Sequence, residues 1–153
     1  MIADDSYIMT MFRLIGDADC NKIEGQGSLG PLMLQHGFSK DSAVWFTRND
    51  KSKPASPISL FQEGYDVWLP NTRGTQYSRR HSFLDPDQDR VDYWDFSFVE
   101  FGLFDMPAFL EKIKTVNREE GSCKKITFVG HSQATISAFY GLSHAPYADR
   151  YLS

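Results

Sequence analysis

The nine residues at positions 126–134 (ITFVGHSQA) decide the fold of this chain. The first four are β-branched or aromatic, and such a run predicts a strand that is buried on both faces. A glycine and a histidine lead to Ser132, and residues 133–142 then predict a helix. A strand, a tight turn and a helix are the context that a nucleophile elbow requires. The serine in such a turn has a sparsely populated backbone conformation, and its hydroxyl stands out at the top of the sheet.

The turn departs from the usual GxSxG pattern at its last position, where Ala134 replaces glycine. The added methyl group must fit between helix and strand, at an expected cost of about 1 kcal/mol. The alternative interpretation of Ser132 is an ordinary N-cap of a core helix. The strand and the helix around the serine favour the elbow, where a helix N-terminus also stabilises developing negative charge.

A second motif, residues 32–38 (LMLQHGF), reads as a short strand that ends in His-Gly. Where a nucleophile elbow exists, the loop after this strand supplies one N–H of the oxyanion hole, and the residue after the nucleophile supplies the other. The predicted catalytic residues are therefore Ser132, Phe38 and Gln133, the last two acting through main-chain N–H groups. Each donor is worth about 3 to 4 kcal/mol in a transition state. Taken alone, the His-Gly pair is an ordinary turn.

The rest of the chain alternates apolar runs with helical patterns. Strands are predicted at residues 7–14, 32–34, 67–69 and 126–129, a loop at 16–31 and irregular structure at 76–92. This alternation predicts an α/β domain with a mostly parallel sheet and flanking helices. No linker divides the chain, so residues 1–153 are expected to form one domain.

Capping signals locate the helices. Ser56 is predicted to cap a helix over residues 57–63, with proline in its first turn. Asp105 is the predicted N-cap of a longer helix that ends at Gly121. The helix at 133–142 is expected to bury an apolar face made of Ile136, Phe139 and Tyr140.

Composition excludes several classes of function. The 153 residues include 12 Phe, 7 Tyr and 3 Trp, which is typical of a folded domain rather than a disordered one. The 16 basic against 20 acidic residues give a net charge of −4, so the sequence carries no basic signature of nucleic-acid binding. No run approaches the roughly 18 apolar residues of a membrane span. The first five residues (MIADD) carry acids where a secretory signal carries basic and then apolar residues, so these residues are not expected to be such a signal.

Several short patterns resemble binding motifs but give only weak evidence for them. Residues 25–30 (GQGSLG) match GxGxxG, but a strand instead of a helix follows, so a turn is expected. Asp85 begins a pattern like a calcium loop, but Arg90 stands where that loop needs glycine. The four histidines lack ligand spacing, and neither a metal nor a cofactor is predicted. Whether Cys20 and Cys123 pair is left open.

Seven motifs recur in the order and spacing of a known family. They are residues 5–9 (DSYIM), 34–38 (LQHGF), 64–74 (GYDVWLPNTRG), 77–81 (YSRRH), 94–97 (WDFS), 105–108 (DMPA) and 130–133 (GHSQ). Together they resemble the acid lipases, the lysosomal and gastric lipase group of α/β-hydrolases. The departures are Pro70 and Ala134, both glycine in the usual pattern.

The resemblance implies a serine ester hydrolase that acts on neutral lipids, triacylglycerols or cholesteryl esters. It further implies contact with a lipid interface, no cofactor, and a secreted or lysosomal location, which the sequence itself does not indicate. Two other interpretations stay open: a serine α/β-hydrolase with a different acyl substrate, and a non-catalytic lipid-binding paralogue that has lost its base.

The catalytic acid and base are missing from this pattern. In α/β-hydrolases the triad follows the order Ser, Asp or Glu, His, whereas His144 and Asp149 follow Ser132 in the reverse order. We therefore expect the chain to be the N-terminal half of an α/β-hydrolase fold, clipped near its first strand and without a complete cap domain. The acid, the base and the lid would lie beyond residue 153. Such a half sheet leaves an open edge, so the 153-residue polypeptide is expected to fold poorly and to hydrolyse little or nothing.

Overall fold

The strands form two sheets in the part of the chain that the structure describes. This structure is a computed structural model that describes residues 1–16, 19, 21, 24–47, 50–144 and 148–152, without the side chains of 148 and 149. The strands are β1 (Tyr7–Ile8), β2 (Thr10–Arg13), β3 (Gly30–Gln35), β4 (Tyr65–Asn71), β5 (Arg80–His81) and β6 (Thr127–Gly130). The larger sheet has the order β2–β4–β3–β6, and β1 pairs with β5 in the smaller one.

Helices flank the larger sheet. They are α1 (Ser56–Gln62), α2 (Arg90–Tyr93), α3 (Phe98–Glu100), α4 (Met106–Glu119), α5 (Gln133–His144) and α6 (Ala148–Tyr151). A 3-10 helix covers Ser42–Phe46, and a π-helical turn at Phe101–Asp105 joins α3 to α4 without a break.

The larger sheet is mostly parallel, which confirms the predicted α/β class. The strands β4, β3 and β6 run parallel, and β2 runs antiparallel to β4 at one edge. Every residue of β3 is buried, as expected for a strand with neighbours on both sides and layers on both faces. Because parallel strands end at the same edge, residues just after β3, β4 and β6 come together there.

The first predicted strand divides at Met9. Its N-terminal part is β1, which pairs with β5, and its C-terminal part is β2, which pairs with β4. Met9 itself is buried, and its N–H donates to the carbonyl of Met1 at 2.8 Å. The region at 76–92 was expected to be irregular, yet it contains β5 and the start of α2.

Pro70 lies inside β4, where it faces Met11 of β2. The pairing of β4 with β3 ends at Trp68, which faces Met33. Proline cannot donate to a ladder and is rarely found between two paired strands. Pro70 is tolerated because its position lies beyond the last pair with β3.

Both predicted helix caps need correction. Ser56 is the first residue of α1, and Ala55 occupies the N-cap position without a side-chain bond. Asp105 does not begin a helix, because the chain is already helical from Phe98. The true cap there is Ser97, whose hydroxyl accepts from the N–H of Val99 while Glu100 accepts from the N–H of Ser97.

The predicted apolar face of α5 is also wrong. Ile136 and Phe139 are 55% and 73% exposed, and Tyr140 is only partly buried. The buried face consists of the small residues Ala134, Ser137, Ala138 and Gly141. A Cβ atom on Gly102 would lie 2.3 Å from the carbonyl oxygen of Ser137, so the backbones of α5 and the π-helical turn are in direct contact. Only small side chains fit at that distance.

Three other expectations concern local features. Residues 25–29 form turns and β3 begins at Gly30, so a strand rather than a helix follows the glycines. Part of the predicted loop at 16–31, and Cys20 with it, lies outside the described residues; Cys123 is exposed and has a free thiol. Among the described helices none is long and apolar enough to cross a bilayer.

Candidate active site

Ser132 occupies the turn between β6 and α5, at the carboxyl edge of the sheet. Its φ of 56° is one of three positive values among the described non-glycine residues. An N-cap residue normally has extended backbone angles, so this conformation does not fit the interpretation of Ser132 as a simple cap. Such strain persists where the surrounding structure enforces it, and it concentrates at functional sites. The Ser132 side chain is exposed rather than part of the core.

Hydrogen bonds hold this turn from both sides. The N–H of His131 donates to the carbonyl of Gln35 at 3.0 Å, which extends the β3–β6 ladder up to the turn. On the helix side, the Ser132 carbonyl accepts from the N–H of Thr135 at 2.9 Å and from the Thr135 hydroxyl at 2.5 Å. These contacts use main-chain atoms of the turn rather than the hydroxyl of Ser132.

Gly37 brings the loop after β3 against this turn. A Cβ atom at Gly37 would lie 2.9 Å from the Cβ of Ser132 and 2.9 Å from the carbonyl oxygen of His131. Any other residue would force the loop away from the serine. The next residue, Phe38, has a 71% exposed side chain and is followed by Ser39 with a φ of 53°. The loop after β3 therefore approaches Ser132 at Gly37, the residue immediately before Phe38.

His36 fixes the orientation of the peptide between Gly37 and Phe38. The buried imidazole makes a 2.9 Å hydrogen bond from Nδ1 to the carbonyl of Gly37, and its Nε2 lies 3.3 Å from the N–H of Thr72, which donates to it. The two bonds require a neutral ring with the proton on Nδ1. Burial lowers the pKa of His36 below its ordinary value of 6.5, which agrees with this neutral form. In a trans peptide the C=O and N–H point in opposite directions, so this bond turns the Phe38 N–H away from His36.

A buried ion cluster fixes the loop after β4, which also borders the site. The Arg73 side chain is fully buried; its Nε donates to Asp105 at 2.7 Å and its two terminal nitrogens to Asp5 at 2.5 and 2.9 Å. The guanidinium lies 4.0 Å from the ring centroid of Tyr7. Loss of hydration outweighs the attraction of Arg73 and raises the pKa of Asp105 to about 6. Asp105 is therefore a structural ligand of Arg73 rather than the helix cap that was predicted.

Ala134 is accommodated beneath the turn. Its side chain is buried and lines a small cavity of about 20 Å³ together with Phe128 and Ser137. The methyl group that replaces the usual glycine hydrogen therefore borders open space on one side.

The structure thus brings the three predicted site residues to one edge of the sheet. Phe38 and Gln133 line the same groove of about 340 Å³. Ser132 immediately precedes Gln133, and a Cβ atom on Gly37 would lie 2.9 Å from the Cβ of Ser132. Sequence reasoning missed the roles of His36, Arg73 and Asp105. The available signal was that His36 and Arg73 both follow a predicted buried strand, where side chains gather at the carboxyl edge.

The described residues suggest no metal centre. No group of three or more His, Cys, Asp or Glu side chains within them is arranged to hold a metal ion.

Fold and site together define a class of protein. Residues 30–148 match the family described as the alpha/beta hydrolase fold, and the chain belongs to that family.

Within this class the chain is similar to several lipases. Lipase 1 of Drosophila melanogaster is 37% identical over 151 residues, which are 98% of this chain and 30% of that protein. Triacylglycerol lipase 2 of Arabidopsis thaliana is 31% identical over 151 residues, 98% of this chain and 34% of the relative. Gastric triacylglycerol lipase of Rattus norvegicus is 34% identical over 146 residues, 95% of this chain and 34% of the relative. These matches confirm the resemblance to the gastric lipase group, and the chain spans about a third of the length of these relatives.

Proposed function

We propose that the protein containing this chain is a lipase that hydrolyses carboxylic esters of neutral lipids, with Ser132 as its nucleophile. The observation that carries the proposal is the exposed serine with a positive φ, held between β6 and α5 and in contact with Gly37. The similarity to proteins named as triacylglycerol lipases supports the substrate class.

In the proposed reaction, the Ser132 hydroxyl attacks the acyl carbon of the ester and the carbonyl oxygen becomes an oxyanion. The N–H of Gln133 belongs to the first turn of α5, where backbone N–H groups lack partners within the helix and the dipole favours negative charge. The N–H of Phe38 is the second donor, oriented by the bond from His36 to the Gly37 carbonyl. Two such donors together lower the barrier by roughly 6 to 8 kcal/mol.

The reaction also needs a base for the serine proton and an acid to orient that base. His36 cannot serve, because both of its ring nitrogens are engaged with main-chain groups. His144 stacks on Tyr140 at the far end of α5. We infer that the two groups belong to the portion of the fold that the relatives have in addition to the third matched here.

The test is active-site labelling of the complete gene product with a fluorophosphonate. We expect Ser132 to be phosphonylated and ester hydrolysis to be lost with the label. Ser132→Ala should abolish both, whereas the matched variant Ser143→Ala, at the exposed end of α5, should retain both. A folded protein that binds lipid but is not labelled would refute catalysis and support the lipid-binding alternative. Labelling together with preference for non-lipid acyl groups would overturn only the substrate class.

A further inference from the structure

A cavity of about 70 Å³ lies at the edge of the sheet opposite Ser132. Three parts of the chain border it: the C-terminal half of α4, the segment before β6 and the end of α6. Because residues 122–126 precede β6 and Ser132 follows it, the cavity and the serine lie at opposite ends of that strand. Five of the lining residues are basic: Lys114, Arg118, Lys124, Lys125 and Arg150. These five residues are called the basic cluster below.

The basic cluster contrasts with the charge of the whole chain. The chain has a net charge of −4, yet no acidic side chain among the described residues lines this cavity. The acids at the end of α4 have other positions, since Glu120 accepts from Arg13 at 2.6 Å and Glu119 is exposed to solvent. A recess lined by one sign of charge concentrates ions of the opposite sign. The cavity therefore attracts anions.

Tyr151 fixes two members of the basic cluster in place. Its buried ring faces Lys114, whose Nζ is 4.7 Å from the ring centroid, and Arg150, whose guanidinium carbon is 5.1 Å from it. Lys114 also donates to the Arg150 carbonyl at 3.1 Å. Glu111 accepts from the Tyr151 hydroxyl at 2.5 Å, but it makes only an exposed contact of 3.7 Å with Arg150. Since such a contact contributes little, the two cations are held close together without full neutralisation.

Repulsion within the basic cluster acts on Lys114. Lys114 and Arg118 are four residues apart on α4, a spacing at which like charges destabilise a helix. Loss of hydration, followed by repulsion from Arg118 and Arg150, lowers the pKa of Lys114. The helix dipole explains a cation in the last turn, which is the position of Arg118. It does not explain Lys124, Lys125 and Arg150, which come from other segments, whereas an anion in the cavity would stabilise all five.

We propose that the basic cluster binds a phosphate group, which belongs either to a small soluble phosphate or to an anionic lipid headgroup. The cavity of about 70 Å³ is several times the roughly 10 to 15 Å³ that one water molecule requires, so it admits an anion of several heavy atoms. A phosphate monoester carries about two negative charges and three acceptor oxygens. It therefore suits several cations from different segments better than a carboxylate does, and both Arg and Lys form strong hydrogen bonds to it. The site is separate from Ser132, so the inference does not depend on the proposed hydrolysis.

The experiment is isothermal titration calorimetry of the complete gene product with inorganic phosphate, at neutral pH and constant ionic strength. We expect saturable binding at one site. Arg118→Gln combined with Lys125→Gln should weaken it by about tenfold or more, because each substitution removes a charge-assisted hydrogen bond. The matched control, Lys51→Gln combined with Lys53→Gln, removes two exposed charges that do not line the cavity. Since solvent screens such charges, the control should stay within about twofold of the unaltered protein.

Vesicles of phosphatidylcholine, with and without phosphatidic acid, distinguish the two sources of the phosphate group. Sedimentation only with phosphatidic acid, lost in the double variant of Arg118 and Lys125, would assign the site to a lipid headgroup. Binding of inorganic phosphate without sedimentation would assign it to a soluble phosphate.

Three results would overturn the proposal. They are no saturable binding of inorganic phosphate, an unchanged affinity in the folded double variant, and an equal loss of affinity in the control pair. A cooperative urea transition reports that each variant is folded, and Lys125→Gln alone is the second variant if the double variant does not fold. Labelling of Ser132 is measured separately, so failure of the phosphate site and failure of the proposed hydrolysis are distinguishable.

Discussion

Replacing His36 tests how the oxyanion site is assembled. In His36→Leu the Gly37 carbonyl and the Thr72 N–H both lose a buried partner, from bonds of 2.9 and 3.3 Å. Each unpaired buried group costs about 1 to 3 kcal/mol, so we expect a loss of roughly 2 to 6 kcal/mol in the free energy of unfolding. Without the bond to its carbonyl, the peptide at 37–38 is free to rotate, and the Phe38 N–H loses its fixed direction. Loss of one oxyanion donor lowers kcat by roughly 10²- to 10³-fold.

The assay is the rate of Ser132 phosphonylation in the complete protein, measured beside urea unfolding so that folded fractions are compared. His36→Asn is the matched variant, because its amide N–H can take the place of Nδ1–H on the Gly37 carbonyl while the bond from Thr72 is lost. We expect it to retain most of the labelling rate that His36→Leu loses. If folded His36→Leu reacts within about threefold of the unaltered protein, or if His36→Asn is as slow as His36→Leu, the proposed orientation of Phe38 by His36 is wrong.

Three further predictions concern stability, measured by urea unfolding of the complete protein. Arg73→Met should cost about 3 to 5 kcal/mol because it leaves Asp105 buried without its partner, whereas the double variant with Asp105→Leu should recover much of that loss; equal losses in both would contradict the ion-pair argument. Gly102→Ala should cost about 1 to 3 kcal/mol, because its Cβ would lie 2.3 Å from the Ser137 carbonyl, and an unchanged midpoint would contradict the close helix contact. The pKa of His36 is lowered from 6.5 by burial, so its contribution is complete above pH 6.5 and is lost as the pH falls through the lower folded-state value; the stability gap between the unaltered protein and His36→Asn should narrow on acidification, and a constant gap would refute this.

The strand, turn and helix around Ser132 could be predicted because their signals are local. A run of β-branched residues, small residues at the bend and an apolar segment all lie within residues 126–142. The loop after β3 could be predicted equally well, since His36 and Gly37 follow closely after a short apolar run. Parallel order then requires both ends to lie at one edge, which is the arrangement in the structure.

Asp105 could not be interpreted correctly from its neighbours. An Asp followed by Met-Pro has the local chemistry of an N-cap and a first turn. Its real partner, Arg73, is 32 positions away in sequence, and helix already precedes it because Ser97 and Glu100 form a capping box upstream. The five-residue π-helical turn joins the two helical segments, so helix runs through Asp105. The long-range ion pair with Arg73 therefore determines the role of Asp105, although its neighbours in sequence indicate a helix cap.

The exposed face of α5 also shows a tertiary contact overriding a local sequence pattern. Large apolar residues normally face the core, but close contact with Gly102 reserves the inner face of α5 for small residues. Ile136 and Phe139 are then turned outward, and Val129 of β6 is also partly exposed. Pairing on the outer side of β6 among the described residues is limited to the single bridge from Ile126 to Leu152, which is parallel. An open strand edge and exposed apolar side chains each promote association between chains. The 153-residue polypeptide by itself should therefore aggregate, and substituting Ile136 and Phe139 by polar residues should reduce that aggregation without restoring ester hydrolysis.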